Sequence, residues 1–181
     1  MAKSTKQQID QAIKKISNLN DKLFSSANMN ELAEKLLDQI KKRTRVAAKG
    51  VDDSGNLEKF PALSEKYVDF RKANKENLGD GATIKKSNVS ATGQMLNSME
   101  YEAGKFKILF RLAGTRRKEL SGGKSKNTNA EVAGHLLDRY EKGLPGGRQF
   151  FKLSKIDDKT VKRFFSEKLK ELLDANKGAS Q

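Results

Sequence analysis

The chain is predicted to adopt an α+β fold: a small antiparallel β-sheet packed by several α-helices, with a helical N-terminal extension. Three observations predict this. Apolar residues recur at three- and four-residue steps between Ile9 and Ile40 and again after Asn129, as on a helix with one face turned to a core. Lys105 to Leu112 (KFKILFRL) alternates between cationic and apolar side chains, the period of a strand with one buried face. Glycine-rich stretches without periodicity separate these segments and read as turns and loops.

Taken in order, Ser4 can cap a first helix carrying Ile9, Ile13, Ile16, Leu19 and Leu23. That stripe is narrow, close to a coiled-coil seam, and needs a partner. A second helix, roughly Asn30 to Val46, supplies Leu32, Leu36, Leu37 and Ile40 and ends in Lys41, Lys42, Arg43 and Arg45. Cations at a helix C-terminus are favoured by the macrodipole, which explains this run without a nucleic acid. Ala47 to Asn56, with Gly50, Gly55, Asp52 and Asp53, reads as a linker, and its acids are too few and too closely spaced for a calcium loop. The expected organisation is a helical extension over residues 1–56 and an α+β core over 57–181.

In the core, Phe60-Pro61-Ala62-Leu63-Ser64 leads to a helix with Tyr67, Val68, Phe70 and Arg71, capped by Ser64. Asn77 to Ala91 is loop-like. Thr92 and Gly93 open a short turn with Met95, Leu96 and Met99 inward, and Glu100 to Ala103 begins a strand. With a tight turn at Ala103-Gly104, the returning strand points Phe106, Ile108, Phe110 and Leu112 to one face and Lys105, Lys107 and Arg111 to the other. Gly114 to Asn129 is expected to be a long basic loop holding Arg116, Arg117, Lys118, Lys124 and Lys126; loops of this length are usually functional or disordered. Asn129 is expected to cap a helix with Val132, Leu136, Leu137 and Tyr140 that ends at Gly143. Gln149 to Leu153 reads as a short strand. Ser154 and Asp157 form a variant capping box for a last helix with Val161, Phe164, Phe165, Leu169, Leu172 and Leu173.

Composition narrows the function classes. The 181 residues fit one domain with an appendage, and a 35 % apolar share beside 33 % charged residues calls for a sparingly built core. No cysteine is present, so disulfides and thiolate metal sites are excluded. No apolar run suits a signal peptide or approaches the ~20 residues of a membrane span, so a soluble product of a cytoplasm is expected. His135 is the single histidine, which excludes histidine dyads and multi-histidine metal sites. Ser121-Gly122-Gly123-Lys124-Ser125 has the end of a P-loop, but Lys118 stands where that motif requires its first glycine. The acidic residues are scattered among lysines in helix-face patterns. No enzyme, cofactor or metal is expected.

The net charge is +14, and from Gly104 to Thr128 eight basic residues stand against Glu119 alone. Two readings stay open: a contact surface for a negatively charged partner, protein or DNA, and plain solubility.

The second half resembles the tail-completion and virion-morphogenesis proteins of tailed phages, the head-tail connector class. The residues that carry the resemblance are Phe60-Pro61-Ala62-Leu63-Ser64 with Tyr67 and Arg71, then Thr92-Gly93-Gln94-Met95-Leu96-Asn97-Ser98-Met99, then Arg148-Gln149-Phe150-Phe151-Lys152-Leu153-Ser154 with Asp157. Two departures stand beside it: Glu131 to His135 matches only loosely the Tyr-Ala-x-x-His start of the family's helix, and the first sixty residues exceed the family pattern. The resemblance implies a structural subunit of a homo-oligomeric ring, a hexamer by analogy, at the virion neck and assembled in the host cytoplasm. One ring face would meet the head connector and the other the tail terminator or tube protein, with double-stranded DNA passing through. Arg116, Arg117, Lys118, Lys124 and Lys126 would then lie in a loop ordered by partner or DNA. The alternative is a basic protein that binds nucleic acid without reading sequence, acting as a monomer or dimer. It lacks a helix-turn-helix, an RNP aromatic signature and any tryptophan, but Lys105, Lys107 and Arg111 on one sheet face would suit phosphate contact.

Overall fold

The computed structural model describes residues 5–78, 82–85, 87, 94–117, 124–144 and 147–178. The class is α+β. In chain order the elements are α1 (Thr5–Leu23), α2 (Ser26–Arg45), β1 (Lys49–Val51), β2 (Leu57–Lys59), α3 (Glu65–Ala73), a 3-10 turn (Lys75–Asn77) and α4 (Gln94–Asn97). There follow β3 (Met99–Gly104), β4 (Lys107–Leu112), β5 (Thr115–Arg117), β6 (Lys124–Thr128), α5 (Asn129–Glu141) and α6 (Lys155–Gly178). Among the described residues the strands form three separate two-stranded antiparallel ladders, β1-β2, β3-β4 and β5-β6.

The spine is α2. Ser25 caps it, its side-chain oxygen accepting the Asn28 amide at 3.4 Å. Met29, Leu32, Ala33, Leu36 and Ile40 recur at helical spacing, and all are buried. Ile40 joins Phe60, Met95, Leu96, Met99 and Phe150 in one cluster, while Leu32 and Leu36 join Phe164 in a second. One helix therefore links both halves of the core. The boundary expected at residue 56 falls inside the β1-β2 hairpin, where Val51 pairs with Leu57, and only α1, which buries no residue, answers to an extension.

The segment read as a linker is that hairpin. Asp52 closes its loop by accepting the Asn56 backbone N–H at 2.7 Å and side-chain N–H at 3.1 Å, with Gly55 at φ +83°. These bonds hold the Asp52 carboxyl below the usual carboxylate range, the Asn56 backbone N–H contributing most. Gly50 has no alternative, since a Cβ there would lie 2.6 Å from the Gln149 carbonyl oxygen and 2.7 Å from the Phe60 ring. This close approach lets the Val51 N–H donate to Gln149 at 2.8 Å. The strand expected at Gln149 to Leu153 does not form: the segment makes single backbone bonds to β1 and, through Arg148, to Leu136, but no ladder.

Arg43 fastens this segment. Its guanidinium, buried beneath α2, pairs with Asp157 and donates to the carbonyls of Phe150, at 3.2 Å, and Lys152. Asp157 also accepts the Ser154 N–H at 2.7 Å and hydroxyl at 2.8 Å, and its own N–H donates back to Ser154 at 3.3 Å. The expected capping box is present, enlarged by a cation from a distant helix.

The longest hairpin pairs Met99 with Leu112 and Gly104 with Lys107, so its turn is Lys105-Phe106, two residues later than the expected Ala103-Gly104. Ile108 and Phe110 pack on the Phe164 cluster and Leu112 on the Phe150 cluster. Phe106, placed in the turn, is 63 % exposed, although its ring lies tilted against Phe24 with centroids 5.0 Å apart. Gly143, at φ +62°, ends α5 as expected.

Replacing Asp157 with Ala leaves Arg43 buried without its carboxylate, and the expected loss is about 3–5 kcal/mol of unfolding free energy in a urea titration. Lys42→Ala, which removes the exposed pair with Asp38, should shift the urea midpoint far less. Equal costs for the two variants would remove the buried pair from its central place.

Candidate functional site

Arg116 and Arg117 lie on β5, Lys124 and Lys126 on β6, and Lys118 lies outside the described residues. The expected loop is thus a hairpin where it is described. Thr115 pairs with Thr128 and Arg117 with Lys124, with a register shift between them. A three-residue strand of alternating polar residues carries no apolar period, which is why the sequence pattern did not disclose it.

The base of the hairpin is tied to α5. Thr128, the last residue of β6, caps α5: its hydroxyl accepts the Glu131 N–H at 3.2 Å, and the Glu131 carboxylate accepts the Thr128 N–H at 2.6 Å. This is a full capping box. It corrects the expectation that Asn129 is the cap. Asn129 is buried in the first turn and donates its side-chain N–H to the Ala113 carbonyl at 2.9 Å, tying α5 to the end of β4. Cationic positions on β5 and β6 are therefore mounted on the N-terminus of α5.

The outer face of β3-β4 differs from the basic stripe read from β4 alone. Arg111 stands opposite Glu100 and pairs with it at 3.3 Å, Leu109 stands opposite Glu102, and Lys105 pairs with Asp21 of α1 at 2.6 Å. Acids interleave the cations, so this face does not offer the unbroken positive track that phosphates would follow.

Two surfaces that the sequence did not single out as sites are apolar. On α1, Ile9, Ile13 and Ile16 are 54 %, 60 % and 68 % exposed, while Leu19 and Leu23 are half-buried beside α6. Phe24 packs on Phe165 at 4.9 Å, and further along α6 Leu169 and Leu173 are exposed. The coiled-coil-like seam is closed at one end and open at the other. The second surface is a groove of about 500 Å³ between α5 and residues 148–152, floored by Leu112, Ala133, Leu137, Phe150 and Phe151.

His135 is exposed on α5, and among the described residues no group of three or more histidine, cysteine, aspartate or glutamate side chains could hold a metal ion. No helix among them is long and apolar enough to cross a membrane. The glycines of the P-loop-like segment lie outside the described residues. No family model, curated protein or solved structure matches the chain. What the described geometry offers is binding: a mounted basic hairpin, an apolar helix ridge and an apolar groove.

The Thr128 backbone N–H, chiefly, and its hydroxyl hold the Glu131 carboxyl below the usual carboxylate range. A depressed folded-state pKa gives stability present above the ordinary glutamate value and lost as pH falls through the lowered one. Thr128→Ala should cost about 1 kcal/mol near neutral pH. The difference between wild type and Glu131→Gln should shrink as acid protonates Glu131, read from urea midpoints at successive pH values. A difference that is flat with pH would remove Glu131 from the cap.

Proposed function

We propose that the chain is a structural virion protein, a subunit of a homo-oligomeric ring at the head-tail junction of a tailed phage. One observation carries this reading: the three segments of the resemblance meet. Phe60, Met95, Leu96, Met99 and Phe150 share one apolar cluster. Arg148 lies over the Phe60 ring at 5.4 Å and donates to the Pro61 carbonyl at 3.1 Å and the Ser87 hydroxyl at 2.9 Å. Residues far apart in the chain but ordered as in the connector class thus build one centre, in which Arg148 positions the segment before α6. Thr92 and Gly93 of the middle segment lie outside the described residues.

The open ridge of Ile9, Ile13 and Ile16 also favours a subunit completed by neighbours, since exposed apolar stripes of this kind mark protein contacts. In this reading the protein works by docking, without catalysis or cofactor. The ring, a hexamer by analogy, sets one face on the head connector and the other on the tail terminator or tube protein, and DNA passes through it. The hairpin with Arg116, Arg117, Lys124 and Lys126, and Lys118 beyond β5, faces a neighbour or the DNA. The second reading, a non-sequence-specific nucleic-acid binder, is favoured by the net charge of +14 and by the same hairpin.

Deleting the gene and imaging the lysate by negative stain should yield separate filled heads and finished tails. Normal virions would overturn the ring reading. Joint replacement of Arg116, Arg117 and Lys118 by Ser should lower the yield of joined particles while the soluble subunit keeps its fold. If the change instead abolishes a DNA affinity that falls log-linearly with salt, with particle yield untouched, the nucleic-acid reading replaces it.

A further inference from the structure

We propose that the groove between α5 and residues 148–152 is a docking site for an amphipathic segment of a partner protein, one bearing acidic residues beside bulky apolar ones. At about 500 Å³, with apolar walls and a few polar groups at its edge, the groove has the size and lining of a binding site. Its apolar surface is unfinished: Leu137 is 38 % exposed, and Phe151 is exposed beside the buried Phe150.

Gly134, on the groove wall, adds an independent observation. It sits in the middle of α5, where glycine costs ~1 kcal/mol relative to Ala. Among the described residues nothing requires it. Its φ is not in the left-handed region, and a Cβ there would meet no described atom within 4 Å. Gly147 behind the same helix is different, since its Cβ would lie 2.3 Å from the Tyr140 nitrogen. The helix is thinned on its open side, toward space that an occupant can use.

Charge selects the occupant. Arg148 and Lys152 line the groove against Glu141, beside Arg111, which Glu100 already pairs. Arg148 is only 6 % exposed, and its guanidinium donates to two carbonyls and the Ser87 hydroxyl, with no carboxylate paired to it among the described residues. Lys152 likewise donates to the carbonyl oxygens of Asp52 and Asp53, at 3.1 and 3.2 Å. Burial lowers the Arg148 pKa from the ordinary arginine value, as expected of a cation without a counter-ion. An acidic occupant supplies the missing negative charge, and its apolar residues cover the floor. A second copy's α1 matches the floor through Ile9, Ile13 and Ile16 but brings Lys6, Lys14 and Lys15 against Asp10, so like charges would meet. Nucleic acid offers no apolar side chain to the floor. This assignment stands apart from the ring reading and needs only the groove.

The test uses the full chain and three fluorescent probes in anisotropy titrations. These are a helical peptide with leucines on one face and glutamates on the other, its counterpart with lysines for glutamates, and a duplex DNA. The glutamate peptide should bind at least ~tenfold more tightly than the lysine peptide. Gly134→Leu fills the groove in open space and replaces a helix glycine, so it should raise the Tm while weakening the glutamate peptide ~tenfold or more. Leu137→Glu, at a partly exposed position, repeats the test by repulsion should the first variant misfold. Equal affinity for the two peptides, absent binding of the glutamate peptide, or affinity unchanged by both variants would overturn the proposal. So would a Gly134→Leu protein that loses DNA binding or self-association in place of peptide binding.

Discussion

The buried pair between Arg43 and Asp157 is the constraint on which the remaining structure hangs. A guanidinium under α2 is costly unless it is paired, and here its two Nη groups are met by one carboxylate and two carbonyls from a stretch of chain more than a hundred residues away. Because guanidinium geometry is a planar fork, the pair fixes direction as well as distance. The backbone at Phe150 and Lys152 is thereby held against α2, Phe150 points into one cluster, and α6 starts where Phe164 can reach the other. An apolar contact of the same size would hold these elements together without specifying their register.

Much of this was legible in the sequence. The α2 stripe, the alternation of β4, the Gly143 stop and the Ser154-Asp157 box are local patterns, and local patterns survive into the fold. What failed was of two kinds. Short hairpins such as β1-β2, closed by the Asp52-Asn56 bonds, and β5-β6, built of polar residues, leave no apolar period to read. Thr128 rather than Asn129 caps α5 because Glu131 stands three residues after Thr128, a spacing the sequence does contain. The other kind is long-range: the partner of Arg43, the acids opposite Arg111 and Leu109, and the space beside Gly134 exist only once the chain has closed.

The described surface is uneven in a consistent way. Faces that are mixed in charge, such as the outside of β3-β4, carry their own ion pairs and need no partner. The apolar ridge on α1 and the groove on α5 are unsatisfied, and they differ in the charge around them. α1 is flanked by lysines with few acids, whereas the groove holds Arg148 and Lys152, which pair with no carboxylate among the described residues. Two open apolar surfaces above a sparse core are what the proposed assembly would cover, with stability gained on binding.

The separation in sequence between Arg43 and Asp157 also governs how the protein is born. While the chain is being synthesised, α2 emerges with Leu32, Leu36 and Ile40 bare, and the residues that cover them, Phe150 and Phe164, leave the ribosome only after more than a hundred further residues. The contacts that close the core are non-local, so the loop between them must be ordered before they add stability. Until then the nascent chain presents a sticky helix and a cation without its anion, the state in which chains of this kind associate wrongly or recruit chaperones. Closure of the core therefore waits for α6, and a stop between Phe150 and Phe164 would leave Leu32 and Leu36 uncovered on a helix already made.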